Sequence, residues 1–376
     1  MGSSHSWHQG TRVVSSRWSV VARLMPDEII SSWLVNTALI QGCDPMTLTL
    51  AVWPKWRIWT NDGDRIFNED RLDPICALSG IKKVTLMSAS LFPIAKQIYG
   101  KRPPEKGVWT WFLAPGARNT KRHSGIQYCP FCLKSDAKPY FRIQWRFAWH
   151  TGCKVHGHAL LDRCHDCNAP VEYHRLLAED KVITVCGTCK VDLRAASVRS
   201  CLPEALKFQL MADDVLINDV GLFQGSAMNV TPWFELANYF VSLIRVAQRC
   251  ENEPLSEFLR LIGVQLPESI PMRPGNHLEI LNTHDREGLL AAIFPLMSAS
   301  KILFEEALQK SNITRQGLAG HRMVSPTWIR TTAASLPSTL REKSTRSTAR
   351  LDGPRSRYQV KRMMARLQRK LDMAQR

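Results

Sequence analysis

No stretch of this 376-residue chain reaches the ~20 uninterrupted apolar residues that a membrane span requires. The best candidate, Leu289 to Met297, is short and contains Pro295. An N-terminal apolar run ending at a small-residue cleavage site is also missing, so Met1 to Leu24 does not read as a secretory signal and is expected to be a disordered leader. Catalytic signatures are absent as well: there is no Gly-x-x-x-x-Gly-Lys-Ser/Thr phosphate loop, no Gly-x-Ser-x-Gly nucleophile turn and no His-Glu-x-x-His helix. The carboxylates are spread without an obvious pair. These absences lead to the expectation of a soluble cytoplasmic protein that binds and is not an enzyme. Acidic residues are the other scarcity, 33 Asp and Glu against 50 Lys and Arg, a net charge of +17. A field of that sign attracts polyanions, nucleic acid first among them.

Tryptophan is plentiful, with 12 residues, enough large apolar surface for real cores. The cysteines are concentrated: seven of the 11 fall between Cys129 and Cys189, mostly as Cys-x-x-Cys pairs. In a chain without an export signal that arrangement argues for metal over disulfides. A first set is Cys129, Cys132, Cys153 and His156, and a second is Cys164, Cys167, Cys186 and Cys189, with twenty and eighteen residues between the paired half-sites. Zinc takes thiolate and imidazole ligands in a closed tetrahedron, and a catalytic zinc keeps one position open for water. Each set supplies four ligands, so two structural zinc ions are expected. An iron–sulfur cluster is conceivable for the all-cysteine set, but His156 and the repeated spacing favour zinc. His150, His158 and His165 lie among the ligands and read as surface or supporting residues. Cys43, Cys76, Cys201 and Cys250 stand alone and read as small buried hydrophobes. Tyr140, Phe141, Trp145, Phe147 and Trp149 supply aromatic mass to pack against the metal-bound loops.

The rest of the chain is mainly α. Pro26-Asp27-Glu28 supplies helix-start chemistry, Ile29, Ile30, Trp33, Leu34, Thr37, Ala38 and Ile40 follow at helical spacing, and Gly42 is placed as a stop. Further helices are expected at Pro45–Val52, Asp73–Ser79 and Lys83–Tyr99, forming a small domain of helix-turn-helix type, with Lys101–Gly125 as a linker or arm rich in Pro, Gly and basic residues. Beyond the metal region, helices are expected over Ala205–Val220, after a Thr231 cap with Pro232 in the first turn, and twice between Leu278 and Gln309 with an interruption near Pro295. Phe234, Ala237, Val241 and Ile244, widened by Leu236, Phe240 and Leu243, make a core-facing stripe. The organisation expected is therefore a leader (1–24), an N-terminal helical domain and linker (25–125), a tandem zinc-finger module (126–200), a C-terminal helical domain (201–335) and a basic tail (336–376). After Leu340 twelve basic residues meet three acidic ones, a net +9. Arg355, Arg357, Lys361, Arg362, Arg366, Arg369 and Lys370, on a segment that could form a basic helix (Tyr358–Ala374), are candidate nucleic-acid contacts, against the plainer reading of a solvated tail.

Several motifs match a known pattern. Leu24-Met25-Pro26-Asp27-Glu28, Ser31-Ser32-Trp33-Leu34, Tyr128-Cys129-Pro130-Phe131-Cys132, Trp149-His150, Cys153-Lys154-Val155-His156-Gly157-His158 and Leu160-Leu161-Asp162-Arg163-Cys164 together resemble the TniQ family of transposon target-selection proteins. The resemblance covers roughly residues 24–190. It implies an N-terminal helix-turn-helix, a pair of zinc fingers with the eight ligands named above, and a C-terminal helical domain. It also implies an adaptor that links target DNA or an RNA-guided CRISPR effector complex to the AAA+ ATPase regulator (TnsC/TniB type) of the transposase. A homodimer stays open, as does the role of the basic tail. The competing readings are a zinc-containing, sequence-specific DNA-binding regulator unrelated to transposition and, more weakly, a nuclease that uses dispersed carboxylates.

Overall fold

The computed structural model describes residues 17–66, 68–116, 123, 125–249, 252–267, 277–320 and 325–338, together with 360, 364 and 368. Among these residues the protein is mainly helical. Five helices precede the metal region: α1 (Ile30–Ile40), α2 (Pro45–Val52), α3 (Asp73–Ser79), α4 (Lys83–Ser88) and α5 (Phe92–Tyr99). A short α6 (Pro130–Ser135) opens the cysteine-rich stretch, which otherwise runs through turns and 3-10 segments. Then come α7 (Pro203–Asn218), a hairpin of β1 (Val220–Phe223) and β2 (Ser226–Asn229), α8 (Val230–Ala247), α9 (Glu253–Ile262), α10 (Thr283–Ser298), α11 (Lys301–Lys310), α12 (Arg315–Ala319) and α13 (Thr327–Ala334). The chain divides into two compact units, up to Leu336 and from Pro337 onward. In the second unit Val360, Met364 and Gln368 are helical and exposed. Arg355, Arg357, Lys361, Arg362, Arg366, Arg369 and Lys370 lie outside the described residues.

Two apolar clusters organise the first unit. The smaller one gathers Ala22, Ile30, Trp33, Leu34, Trp53, Leu72, Ile75 and Leu86. The larger runs from Ile29, Val35 and Leu39 through Trp109, Trp111 and Trp149 to Leu318 and Ala333. Helix α1 feeds both, with Ile30, Trp33 and Leu34 on one side and Val35 and Leu39 on the other, so it is buried nearly all round instead of amphipathic. Its expected member Ile40 is half exposed, at 50%. Among the described residues no single helix is long and apolar enough to cross a membrane.

Several sequence expectations change. Residues 17–24, placed in the leader, are packed: Trp33 donates its indole N–H to the Ala22 carbonyl at 2.9 Å, and the Trp18 ring lies 6.3 Å from that of Trp33. Residues 1–16 lie outside the described set. Asp27 and Glu28 precede α1 and do not enter its first turn. Helix Lys83–Tyr99 is two helices, because Pro93 starts α5 and the Ser90 hydroxyl accepts from the Phe92 N–H at 3.3 Å. The expected linker carries core: Trp109, Trp111, Phe112 and Leu113 are all buried, and their apolar weight outranks the Pro/Gly punctuation around them. Trp111 even adopts φ 73°, a cost that a bulky residue bears only when its surroundings fix it. Helix α7 ends at Asn218, and Val220 begins the hairpin, whose turn residues Gln224 (φ 50°) and Gly225 (φ 76°) suit a two-residue connection. The N-cap of α8 is Asn229, which puts Thr231 inside the first turn. Pro295 sits within α10; the break falls at Ala299, after which α11 turns away by 104°.

Candidate metal centres

Three of the four half-sites fold into the same tight turn. The first ligand's carbonyl accepts from the N–H four residues on, as in Gly157 to Cys153 (2.8 Å), Asn168 to Cys164 (3.1 Å) and Lys190 to Cys186 (3.0 Å). Its N–H in turn donates to the carbonyl five residues on, from Cys153 to His158 (2.7 Å), Cys164 to Ala169 (2.8 Å) and Cys186 to Val191 (2.8 Å). The residue after the second ligand must then be left-handed, and Gly157, Asn168 and Lys190 have φ of 68°, 55° and 66°. Gly and Asn take that conformation at little cost. The fourth half-site differs, for Cys129 precedes α6 and Cys132 lies within it.

These turns converge in two groups, Cys129, Cys132, Cys153 and His156, and Cys164, Cys167, Cys186 and Cys189, whose ligand atoms within each group all lie within 4.8 Å of one another. In the first, the His156 Nδ1 is 3.5, 3.4 and 3.5 Å from the Sγ atoms of Cys129, Cys132 and Cys153. Cys132 Sγ is 3.5 Å from Cys153 Sγ. In the second, Cys164 and Cys189 sulfurs are 3.6 Å apart, and those of Cys167 and Cys186 are 3.8 Å apart. Tetrahedral zinc with bonds of about 2.3 Å to sulfur and about 2.0 Å to nitrogen would separate its ligands by about 3.5–3.8 Å. The donor sets and spacings therefore fit two four-coordinate metal ions. Crowding works against ionising all the thiols unaided: Cys132 is pushed up by its contacts with Cys129 and Cys153, while Cys153 is pushed down by hydrogen bonds from those same neighbours. A bound cation removes that conflict. Cys129, Cys132 and Cys153 are buried, whereas Cys167 and Cys189 reach toward the surface.

Neighbouring residues tie the first centre into the helices. Of the two readings given to His150, the supporting one holds: it is buried, and its Nε2 lies 2.7 Å from the Asp213 carboxylate on α7, which also accepts from Trp149 Nε1 at 3.0 Å. Gln209, also on α7, accepts from the Thr151 and Gly152 N–H groups at 3.0 and 3.1 Å and donates back to the Gly152 carbonyl at 2.9 Å. From α10, Arg286 donates to the Ala148 carbonyl (2.8 Å) and to Gln127 Oε1 (2.9 Å). Burial lowers the Arg286 guanidinium to about 10. His158 is half-buried, with its ring 5.1 Å from that of Phe131, and His165 is exposed. Tyr140, Phe141, Trp145, Phe147 and Trp149 are all buried, and the Phe147 and Trp149 rings stack at 4.3 Å. Cys43, Cys76 and Cys201 are half-buried, less enclosed than expected, and Cys250 lies outside the described residues.

A second convergence was not foreseen. Arg146 donates to Asp62 at 2.8 Å, to Asp64 at 2.5 Å and to the Leu113 carbonyl at 2.9 Å. Asp64 also accepts from the Ser31 hydroxyl at 2.9 Å, and that hydroxyl lies 2.6 Å from Tyr173 Oη. Only the Asp-x-Asp pair hinted at it in the sequence. The opening motif has its own tie: the Asp27 carboxylate accepts from Tyr140 Oη at 2.7 Å, and the Ser32 hydroxyl accepts from the Phe141 N–H at 2.9 Å.

Residues 20–160 match the TniQ family model. Over that stretch the chain is similar to the TniQ family. The matched residues contain the opening motif and the whole first ligand set, while the second set lies beyond them. Similarity to that family implies a transposition-associated role in target selection. No curated protein matches the chain.

Proposed function

We propose that this TniQ protein is an adaptor that links target DNA or an RNA-guided CRISPR effector complex to the AAA+ ATPase regulator (TnsC/TniB type) of a transposase, and that it acts by binding without catalysing a reaction. The observation that carries the proposal is the family match over the very segment that contains the first candidate ligand set, three of whose members, Cys129, Cys132 and Cys153, are built into the core. In this reading both sets hold structural zinc, since four protein ligands leave no position for a reactive water. The helix-turn-helix that the family resemblance implies is best supplied by α3 and α4, joined by Gly80-Ile81-Lys82 with Gly80 at φ 75°, the kind of short glycine-bearing turn such motifs use. Helix α2 is a poorer reader, because its exposed residues Met46, Thr47, Leu50 and Ala51 carry no charge. The setting proposed is the bacterial cytoplasm, on the nucleoid when the target is DNA.

The test mixes the purified protein with the transposase's ATPase, ATP and target DNA and follows ATPase loading. Loading at one site is expected to rise with the TniQ protein present. Unchanged loading would remove the adaptor reading.

A further inference from the structure

The loop after α2 reads Trp53-Pro54-Lys55-Trp56-Arg57, and the short 3-10 turn Glu69–Leu72 packs beside it. Trp53 is buried and donates its indole N–H to the Arg71 carbonyl at 2.9 Å, which fixes the Arg71 backbone. Trp56 meets Trp53 edge-on, with ring centroids 5.1 Å apart. The Arg71 guanidinium lies over the Trp56 ring, its Cζ 4.1 Å from the centroid. An aromatic face thus holds this cation in one orientation and leaves its N–H groups uncommitted. Lys55 and Arg57 are exposed, and among the described residues no carboxylate pairs with either of them or with Arg71. The nearest acids in sequence behave differently. Asp73 pairs with Lys83, and Glu69 and Asp70 stay exposed.

We propose that Lys55, Arg57 and Arg71, the last positioned by Trp56, form a phosphate-contacting surface for duplex nucleic acid on the N-terminal lobe. Two exposed cations flanking Trp56 in sequence and a third stacked on its ring match the repeated charges of a phosphate backbone better than an isolated carboxylate, and a stacked guanidinium presents a planar fork of N–H donors to phosphate oxygens. The inference rests on the adaptor reading only for which nucleic acid is bound.

The experiment uses the full chain and a short duplex DNA of mixed sequence, with binding measured by fluorescence anisotropy across a salt series. The combined variant Lys55→Gln, Arg57→Gln, Arg71→Gln is expected to bind at least tenfold more weakly at low salt. Its slope of log K against log salt should shrink by about 2–3, since each lost phosphate contact removes about 0.9. Trp56→Leu, which removes only the platform, should weaken binding as much as Arg71→Gln alone. A control neutralises Arg260, Lys301 and Lys310, exposed cations that already have carboxylate partners, and should change neither quantity. Wild-type affinity and slope in the triple variant, with metal content and melting temperature intact, would overturn the proposal. So would a variant that keeps its DNA binding but loses the ATPase, which would make this a protein contact. Failure of the wild type to load the ATPase would sink the adaptor reading yet leave the salt slope as it is.

Discussion

Glu28 is buried beneath the start of α1, with 1% exposure, and three donors converge on it: the Ser32 hydroxyl at 2.8 Å, the Asn36 amide at 3.1 Å and the Met25 N–H at 3.2 Å. Burial outweighs those donors and pushes its carboxyl up to about 7 from an ordinary value of 4.5. The folded chain therefore keeps a proton that the unfolded chain gives up as pH passes 4.5. Stability from the neutral carboxyl is complete below that point and declines as pH rises toward 7, a loss of up to about 3 kcal/mol at 1.36 kcal/mol per unit. Glu28→Gln cannot ionise. Its melting temperature is expected to fall less steeply than that of the wild type between about pH 5 and 7. Parallel curves for the two proteins would show that the carboxyl is not held neutral.

Among the elements, the pairing of Arg146 with Asp62 and Asp64 decides how the turn Gly63–Arg65 meets the aromatic segment around Trp145. The arginine side chain is only 5% exposed and that of Asp64 only 3%, so removing the cation strands buried carboxylates. Arg146→Met should cost about 3–5 kcal/mol by denaturant melting, and adding Asp62→Asn and Asp64→Asn to that variant should recover much of the loss. A single variant that melts like the wild type would mean that solvent reaches the pair. The elements that could be read in advance were those with local signals. The ranges Pro45–Val52 and Asp73–Ser79 match α2 and α3, and Gly42, read as a stop, follows α1 at φ 69°, because capping chemistry acts within one turn. The hairpin between α7 and α8 has only a weak local signal: Gln224-Gly225 offers a two-residue turn, but four-residue strands carry too little alternation to register.

At the scale of the whole molecule, one apolar cluster includes Ile29, buried cysteines of both candidate metal centres, and Ala333. Calorimetry on the metal-loaded protein should accordingly show one main transition for residues 17–336, and a chelator should lower that transition as a unit. Two well-separated transitions, with only one sensitive to chelator, would indicate independent lobes. The grouping of both Cys/His clusters was legible beforehand, because a Cys-x-x-Cys pair is a local constraint and its spacing can be counted along the chain. So were the helical character of the rest and the family motifs, which depend on residues close in sequence. Contacts across long separations were beyond that reach: Arg146 with Asp62 and Asp64, Asp213 with Trp149 and His150, and the burial of Trp109 to Leu113 in a stretch punctuated like a linker. Periodicity reports which side of an element is apolar, but not which distant element will cover it. Only the folded chain decides which charge meets which, because that depends on burial shared between segments that one-dimensional spacing does not relate.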